Sequence, residues 1–423
     1  MAHVERVSVE GFKTIAELSV EPGQFTVVTG RNNSGKTSLL EAVRLGCEPE
    51  TVREFRATPA PLSESFRSQS GPASYIRHGA PQAVVETTVD DESKRLELRQ
   101  AAESRARGVV AEIVVDLLER RFNGEESLTE AVQSGQTTVS GSHLTAGLQE
   151  IATAFLADLD TELSEYVTIV GVDKTEHPLV GRPDTFSRLL YQFIRVELVD
   201  RLNRDELERL GIEHSDSGTG SLTTASNLTR RLDTFPNGVP DARLPTKFVT
   251  HGTTVDADDE DPVKTDDIGD FLREKKILED LKTFTLDDLI FDPGDGEKYA
   301  VPFDQMGDGF RAIVALLWEL LDDDLPEVVF LEEPTTHMHP GYVREVVYFL
   351  IQLAMEEDVQ LFVTTHSNDF LNDLFAENLH EEEVGFLEEE FKLFQMQDGG
   401  AKTLDYREAE ESLEELMLDL RGL

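Results

Sequence analysis

The sequence lacks several features that would place it in well-defined classes of protein. Its 423 residues include a single cysteine, Cys47, so no disulfide can form within the chain and no zinc site can be built from cysteines. No stretch approaches the roughly 18 apolar residues that a membrane-spanning helix requires, and the N-terminal residues do not resemble a secretory signal. We therefore expect a protein of the cytoplasm that does not bind membranes.

Basic residues are scarce relative to acidic ones. The chain has 39 Lys and Arg residues against 84 Asp and Glu residues, a formal net charge of −45. This charge repels nucleic-acid phosphates, so a broad nucleic-acid-binding face is not expected and any contact with DNA would be local. The carboxylates are spread over the whole sequence, which we interpret as a halophile-type composition; the alternative is an acidic surface that binds a partner.

The N-terminal residues predict strands, a loop and a helix in that order. Residues 4–10 and 15–20 predict two short antiparallel strands, because each run alternates in polarity. Residues 25–29 are rich in β-branched side chains and predict a buried strand. Residues 38–45 have the apolar spacing of a helix, and a loop bracketed by glycines joins the two elements.

The middle of the chain predicts a mainly helical segment. Apolar residues recur at three- and four-residue intervals in 109–122, 144–166 and 186–210, whereas 214–240 and 252–267 are rich in residues typical of loops. Before this segment, residues 49–80 predict an irregular passage and residues 83–89 and 95–98 predict strands.

The last third of the chain predicts strands that alternate with helices. The predicted helices are 268–283, 309–321 and 342–355, and the predicted strands are 289–291, 299–301, 328–331 and 360–365. Alternation of this kind indicates a parallel sheet and hence an α/β protein. The acidic run 381–390 is interpreted as a solvated charged face, followed by a strand and a short helix.

The loop after the predicted strand 25–29 matches the phosphate-binding pattern of a glycine, four residues and Gly-Lys-Thr. Its residues are Gly30, Arg31, Asn32, Asn33, Ser34, Gly35, Lys36 and Thr37, with Ser38 next in the helix. The glycines allow backbone N–H groups to face phosphate oxygens at the N-terminus of the helix. Lys36 adds a positive charge and Thr37 a hydroxyl ligand for magnesium, so ATP and Mg²⁺ are the expected ligands.

Two further predicted strands end in polar residues. The strand 328–331 is followed by Glu332 and Glu333, and the strand 360–365 is followed by His366. Because open α/β sheets bind ligands at the carboxyl ends of their strands, we expect these side chains at one edge. We interpret Glu332 as a magnesium ligand, Glu333 as the group that orients or deprotonates water, and His366 as a sensor of the γ-phosphate.

A glycine-rich turn precedes the predicted helix 309–321. It contains Gly307, Asp308 and Gly309, and such a turn exposes backbone N–H groups at a helix N-terminus. The turn is therefore a candidate second site for phosphate, and taken alone it is more typical of an ordinary turn.

In this order the motifs resemble those of ATP-binding-cassette P-loop ATPases, within them the RecF, SMC and OLD-like group. The opening Val-Glu-Gly-Phe-Lys-Thr at 9–14 and the loop at 30–37 are similar to the start of that group. The stretch Glu-Glu-Pro-Thr-Thr-His-Met-His-Pro at 332–340 resembles stand-alone AAA-type members. The resemblance covers residues 1–46 and about 270–375.

The resemblance implies an ATPase head, a mixed sheet with helices on both faces and N-terminal antiparallel strands. The head would comprise residues 1–99 and 268–423, with a mainly helical insertion at 100–267. Two heads would dimerise head to tail around ATP, with Gly307, Asp308 and Gly309 reaching the nucleotide of the second copy. Lys36, Glu333 and His366 would be catalytic, and Thr37 and Glu332 would hold Mg²⁺.

Three departures from the family pattern bear on hydrolysis and dimerisation. The turn at 307–309 lacks the usual Ser-Gly-Gly, Glu332 replaces the commoner aspartate, and Thr335 stands where relatives often have glutamate. His337 and His339 could belong to a metal site, but the resemblance places them in a dimer-contact loop, and no further histidine or cysteine completes a zinc set.

The resemblance implies slow ATP hydrolysis in a molecular switch. The stretch after His366 is too short for the Toprim nuclease domain of OLD-like proteins, so a separate effector, such as a nuclease, is the expected partner, in antiviral defence. One alternative is a DNA-repair or chromosome-maintenance ATPase that binds duplex DNA, for which Arg105, Arg107, Arg120 and Arg121 could form a basic strip, although solvated helix-face charges are the simpler reading. Another is a nucleotide-gated scaffold with little turnover.

Overall fold

A computed structural model describes most of the N- and C-terminal thirds of the chain. The described residues are 3–48, 72–111, 153, 156–157, 162–165, 167–172, 175–180, 244–255 and 261–420, except 295, 323, 377–378 and 398–399. The helix predicted at 186–210, the loop predicted at 214–240 and most of the helices predicted at 109–122 and 144–166 lie outside this range, as do Arg120 and Arg121.

The chain forms two compact units. The first comprises Met1–Glu48, Val85–Lys94 and Arg243–Leu423, and the second comprises Pro49–Val84 and Arg95–Ala242. The first unit therefore resumes at Arg243, rather than at residue 268 where the ATPase head was expected to resume. The division of the chain into an ATPase head and an insertion stays a prediction.

The described strands and helices are as follows. The strands are β1 Val4–Phe12, β2 Ile15–Val20, β3 Phe25–Gly30, β4 Gln82–Val89, β5 Glu92–Gln100, β6 Val167–Val172, β7 Thr175–Val180, β8 Thr246–Thr250, β9 Leu281–Phe284, β10 Asp288–Phe291, β11 Tyr299–Pro302, β12 Val328–Glu332, β13 Gln360–Thr364, β14 Phe391–Gln397 and β15 Gly400–Leu404. The helices are α1 Lys36–Cys47, α2 Pro262–Glu274, α3 Asp308–Leu320, α4 Pro340–Glu357, α5 Asn368–Leu374, α6 Glu381–Glu390, α7 Tyr406–Glu411 and α8 Leu413–Leu420. No described helix has both the length and the apolar character needed to cross a bilayer.

A six-stranded mixed sheet organises the first unit. Its strand order is β15-β14-β3-β13-β12-β8, and every neighbouring pair is parallel except β14 with β15. The carboxyl ends of β3, β13 and β12 therefore meet at one edge of the sheet. The α/β fold class expected from the sequence is confirmed.

Apolar side chains bury this sheet on both sides. The central strands β3, β12 and β13 are almost continuously buried, as expected for parallel strands covered by helices. Helix α3 buries Phe310, Ile313, Val314, Leu317 and Leu320 at three- and four-residue spacing, and its Ala315 and Leu316 are buried as well. Burying each large apolar side chain contributes about 1.5–3 kcal/mol, so this core fixes the sheet edge that carries the polar residues.

The predicted N-terminal strands are confirmed. Strands β1 and β2 pair antiparallel, with Val7 opposite Val20 and Phe12 opposite Ile15. Gly11, near the end of β1, and Lys13, in the turn that follows, have positive φ angles of 61° and 49°. The strand, loop and helix order of β3 and α1 also matches the prediction.

The region between residues 244 and 291 differs from the prediction. Strand β8 was not predicted, although it pairs with β12 in the main sheet. The helix expected at 268–283 instead begins at Pro262, because the Asp261 carboxylate accepts hydrogen bonds from Val263 N and Lys264 N. It ends at Glu274, before β9, so the loop predicted at 252–267 is partly helical.

The described part of the second unit contains a hairpin that was not predicted. Strands β6 and β7 pair antiparallel, and β6 also pairs with β5. The sequence Val-Thr-Ile-Val-Gly-Val of β6 lacks a clear two-residue alternation and directly follows the apolar run 144–166, which has helical spacing. Residues 103–111 are helical, so this helix begins before residue 109, where it was predicted to begin.

Candidate functional site

The phosphate-binding loop requires both of its glycines. Gly30 has a φ of 138° and Gly35 a φ of 105°, a region of backbone conformation that favours glycine. A Cβ atom at Gly30 would lie 2.7 Å from Met396 O, and one at Gly35 would lie 2.9 Å from Thr14 Oγ1. The loop therefore has the tight conformation that its pattern predicts, and it leads directly into the N-terminus of α1.

Lys36 is folded back over the loop. Its Nζ donates to Gly30 O at 3.0 Å and to Arg31 O at 3.3 Å, and the residue is only 8% exposed. Burial lowers the pKa of the Lys36 ammonium, and the nearby carboxylates of Glu333 and Glu332 oppose this shift. The ammonium thus lies in the loop and within the electrostatic influence of both glutamates.

Thr37 and Glu332 are in direct contact. The Thr37 hydroxyl donates a hydrogen bond to Glu332 Oε1. Thr37 is in the first turn of α1 and Glu332 is the last residue of β12, so the sheet brings together residues far apart in the sequence. A hydroxyl and a carboxylate side by side are oxygen ligands of the kind that Mg²⁺ prefers.

Glu333 and His366 form the second contact of the site. Glu333 Oε2 lies 2.6 Å from His366 Nδ1 and also accepts a hydrogen bond from His366 N at 3.2 Å. Glu333 has a positive φ of 51°, and its backbone N–H donates to both O and Oγ1 of Thr364, at 3.1 and 3.2 Å. The carboxylate is largely buried, with 16% side-chain exposure, whereas the His366 side chain is 54% exposed.

The residues present fit a bound triphosphate and its metal ion. The hydroxyl of Ser34 in the loop and that of Thr29 just before it are both buried without a hydrogen-bond partner, which is a costly state that a polar ligand or water would relieve. With the Lys36 ammonium and the Thr37–Glu332 oxygens, these groups supply cation, hydroxyl and carboxylate at one place. This set suits phosphate oxygens coordinated to Mg²⁺.

The turn at 307–309 lies against the loop that follows Glu333. Gly307 precedes α3 and Asp308 is its first residue, paired with Arg311. A Cβ atom at Gly309 would lie 2.8 Å from His337 O, so the glycine is required by this close approach. The contact is within one chain, and the role of the turn toward the nucleotide of a second copy stays a prediction.

His339 has a structural role in this loop. Its Nδ1 accepts a hydrogen bond from Gly341 N at 3.1 Å, which caps α4. Among the residues that the structure describes, no group of three or more His, Cys, Asp and Glu side chains is arranged to hold a metal ion. His337 has a φ of 69° and lines a cavity of about 610 Å³.

The loop after β8 was not predicted as part of the site, although it forms part of the same sheet edge. His251 N donates to Glu332 O at 3.2 Å, so this loop continues the edge beyond the carboxylates. Residues 251–255 line the cavity together with Asp308 and Arg311. The sequence pattern of β8 is weak because the strand has only five residues, and its loop was therefore not recognised.

Residues of the turn between β1 and β2 contact the helix that follows the phosphate-binding loop. The hydroxyls of Thr14 and Ser38 lie 3.1 Å apart, and Lys13 pairs with Glu41 of α1. The motif at 9–14 was noted in the sequence, but these contacts could not be derived from it. They tie the turn between β1 and β2 to the first turns of α1.

The proposed basic strip is only partly described. Arg107 pairs with Glu103 at 2.7 Å and donates to Leu156 O at 3.0 Å. Arg107 is therefore engaged within its own unit, in keeping with the simpler interpretation of these residues as helix-face charges.

Comparison with known families and structures gives the following matches. Residues 112–372, more than half of the chain, match the family profile described as "AAA domain, putative AbiEii toxin, Type IV TA system", and residues 6–207 match a second AAA-domain profile. No curated protein matches the chain.

Solved structures similar to the chain include SMC heads. The SMC head domain of Pyrococcus furiosus bound to the C-terminal domain of ScpA has 12% identity and a TM-score of 0.42, covering 98% of this chain and 100% of that chain. The SMC head of Thermotoga maritima has 11% identity and a TM-score of 0.39, covering 95% and 98%. The recombination mediator RecF with ATPrS has 12% identity and a TM-score of 0.32, covering 95% and 98%.

Proposed function

Because the chain belongs to the AAA-domain family described as "AAA domain, putative AbiEii toxin, Type IV TA system", we propose that it is an ATP-dependent molecular switch. Magnesium-bound ATP would close a homodimer, and slow hydrolysis would reopen it. The single observation that carries this proposal is the meeting of Lys36, the Thr37–Glu332 pair and the Glu333–His366 pair at one sheet edge.

Nucleotide binding is assigned to the loop and the first turn of α1. The backbone N–H groups between Gly30 and Ser38 would cradle the phosphates, and the Lys36 ammonium would neutralise part of their charge. Thr37 and Glu332 would hold Mg²⁺, which when bound neutralises charge on the phosphate oxygens. The orphaned hydroxyl of Ser34 supports this assignment, since it lies buried in the same loop.

Hydrolysis is assigned to Glu333 with His366. Both described contacts of the carboxylate use Oε2, so we assign Oε1 as the atom that accepts a proton from the attacking water. The two hydrogen bonds from Glu333 N to Thr364 fix the direction of the side chain. His366 holds the carboxylate and is exposed enough to contact a γ-phosphate.

A separate effector protein is expected to respond to closure of the dimer. The turn at 307–309 would contact the nucleotide of the second copy, and the segment 100–267 would transmit closure to a separate effector, such as a nuclease, in the cytoplasm. The matching family description names a putative toxin of a type IV TA system, and we place the switch in antiviral defence.

Replacing Glu333 separates hydrolysis from binding. We expect Glu333→Gln to bind ATP with wild-type affinity, to release phosphate at least tenfold more slowly, and to accumulate as an ATP-bound dimer, because the amide cannot accept the proton. Phosphate release and light scattering after gel filtration, both in molar KCl, measure these effects. The matched control is Glu389→Gln on the exposed face of α6.

Phosphate release and ligand binding also distinguish the alternative functions. Equal phosphate release by wild type and Glu333→Gln would remove Glu333 from the mechanism, and wild-type binding without turnover would identify a nucleotide-gated scaffold. A steep loss of duplex-DNA affinity with increasing salt would favour the DNA-repair alternative, because several phosphate contacts are then broken.

A further inference from the structure

Helix α8 reaches the phosphate-binding loop through one side chain. Asp419 Oδ1 lies 3.4 Å from Nη2 of Arg31, the second residue of the loop. The backbone of Arg31 belongs to the loop itself, because Arg31 O accepts hydrogen bonds from Ser34 N and from Lys36 Nζ. The Arg31 side chain thus extends from the loop toward α8.

A buried amide holds the Asp419 carboxylate in place. Gln395 Nε2 donates to Asp419 Oδ2 at 2.8 Å, and Gln395 is only 3% exposed. Gln395 lies on β14 directly opposite Thr29, the residue before Gly30. Each Asp419 oxygen therefore has its own partner, one beside the entry to the loop and one within it.

The helix that carries Asp419 is anchored next to the site. Leu416 is 1% exposed, and α8 packs against β3, which leads into the loop, and against α5, which follows His366. The position of Asp419 is therefore set by the same core as the loop and the His366 segment.

The charge of Asp419 opposes the binding of an anion in two ways. Its carboxylate adds negative potential beside a loop whose backbone is arranged for phosphate, and it occupies a guanidinium that would otherwise neutralise phosphate charge. Both effects weaken the binding of a phosphate group. An exposed ion pair of this kind adds little to folding stability, so removing it should leave the fold intact.

We propose that Asp419 sets the nucleotide affinity of the site by holding Arg31 away from the phosphates, so that α8 restrains ATP binding. This inference rests on the proposed function, because it requires that the loop bind nucleotide. It assigns a role to a residue that no motif in the sequence identifies.

The test compares two variants that remove one negative charge from the same helix. Asp419→Asn should tighten the binding of ATP with Mg²⁺ by about two- to fivefold, the range that an exposed ion pair supplies. Glu414→Gln, at an exposed position of α8, should bind like wild type. Isothermal titration calorimetry in 0.2 M and 2 M KCl measures both, and the gain should shrink at the higher salt because the charge is screened.

Two further variants identify the mechanism. In an Arg31→Gln background the gain from Asp419→Asn should be smaller, because only the potential of the carboxylate itself is then removed, and Asp419→Glu, which keeps the charge, should retain wild-type affinity. Asp419→Asn binding no more tightly than Glu414→Gln, or a full gain that persists without Arg31, would overturn the inference while leaving the proposed function intact. Failure of the wild-type protein to bind ATP would instead overturn the proposed function, and this inference with it.

Discussion

Glu333 occupies a backbone conformation that most residues avoid. Its φ of 51° lies in the left-handed region, which costs a non-glycine residue about 1 kcal/mol or more. The two hydrogen bonds from its N–H to Thr364 offset this cost. The bend directs the chain away from β12 immediately after the strand, so that Glu332 faces Thr37 while Glu333 faces His366.

Lys36 provides the sharpest prediction for a single residue. Its ammonium lies among loop carbonyls, and although burial lowers its pKa, the two glutamates oppose the shift. We expect Lys36→Ala to weaken ATP binding at least a hundredfold, because the phosphates lose the cation that the loop supplies. Calorimetric titration with ATP measures the loss.

The control for this prediction is Lys402→Ala, at an exposed position of β15. It removes the same charge from the same unit and should leave ATP affinity unchanged. Retained ATP affinity in Lys36→Ala would contradict the assignment of the phosphate-binding loop.

Short elements at the sheet edge position the groups that we propose to be catalytic. Helix α5 begins at Asn368, and the Ser367 hydroxyl next to His366 caps it by accepting a hydrogen bond from Phe370 N at 3.2 Å. Loss of a cap of this type costs about 1 kcal/mol. The cap therefore links the stability of α5 to the placement of His366.

Ser367→Ala tests this link at the level of the element. We expect a slower phosphate release with little change in ATP affinity, because His366 loses its fixed position while the phosphate-binding loop is untouched. The comparison is Asp405→Ala, which removes the equivalent cap of α7, where Asp405 accepts from Glu408 N at 2.9 Å. Both variants should lose similar stability, and an equal fall in turnover for both would contradict a specific role of Ser367.

The charge of the whole molecule predicts a strong dependence of stability on salt. With a net charge of −45, the folded chain repels itself, and salt shortens the range of this repulsion from about 10 Å at 0.1 M to about 3 Å at 1 M. We expect the melting temperature to rise by at least several degrees between 0.1 M and 2 M KCl. Differential scanning calorimetry measures it, and an equal rise in sucrose of matched osmolality would contradict the electrostatic explanation.

Local polarity patterns in the sequence were sufficient to predict many strands and helices of the first unit. The antiparallel strands β1 and β2, the strand and helix around the phosphate-binding loop, and the alternation of α3, β12, α4 and β13 are each encoded by polarity spacing over one element. The elements that were missed depend on distant partners. Strand β8 is five residues long and is stabilised by pairing with β12, so its own sequence carries little signal.

The sequence by itself determined the phosphate-binding loop, the two carboxylates and His366, because these side chains must lie at fixed spacings from buried strands. Only the tertiary structure decided which side chains these residues contact. Thr37 contacts Glu332, Glu333 contacts His366, and Arg31 contacts Asp419. The physical reason is that the strand order and register of a parallel sheet are set by long-range packing. Asp419 lies hundreds of residues beyond the loop that it contacts, so its place next to Arg31 follows from the fold alone.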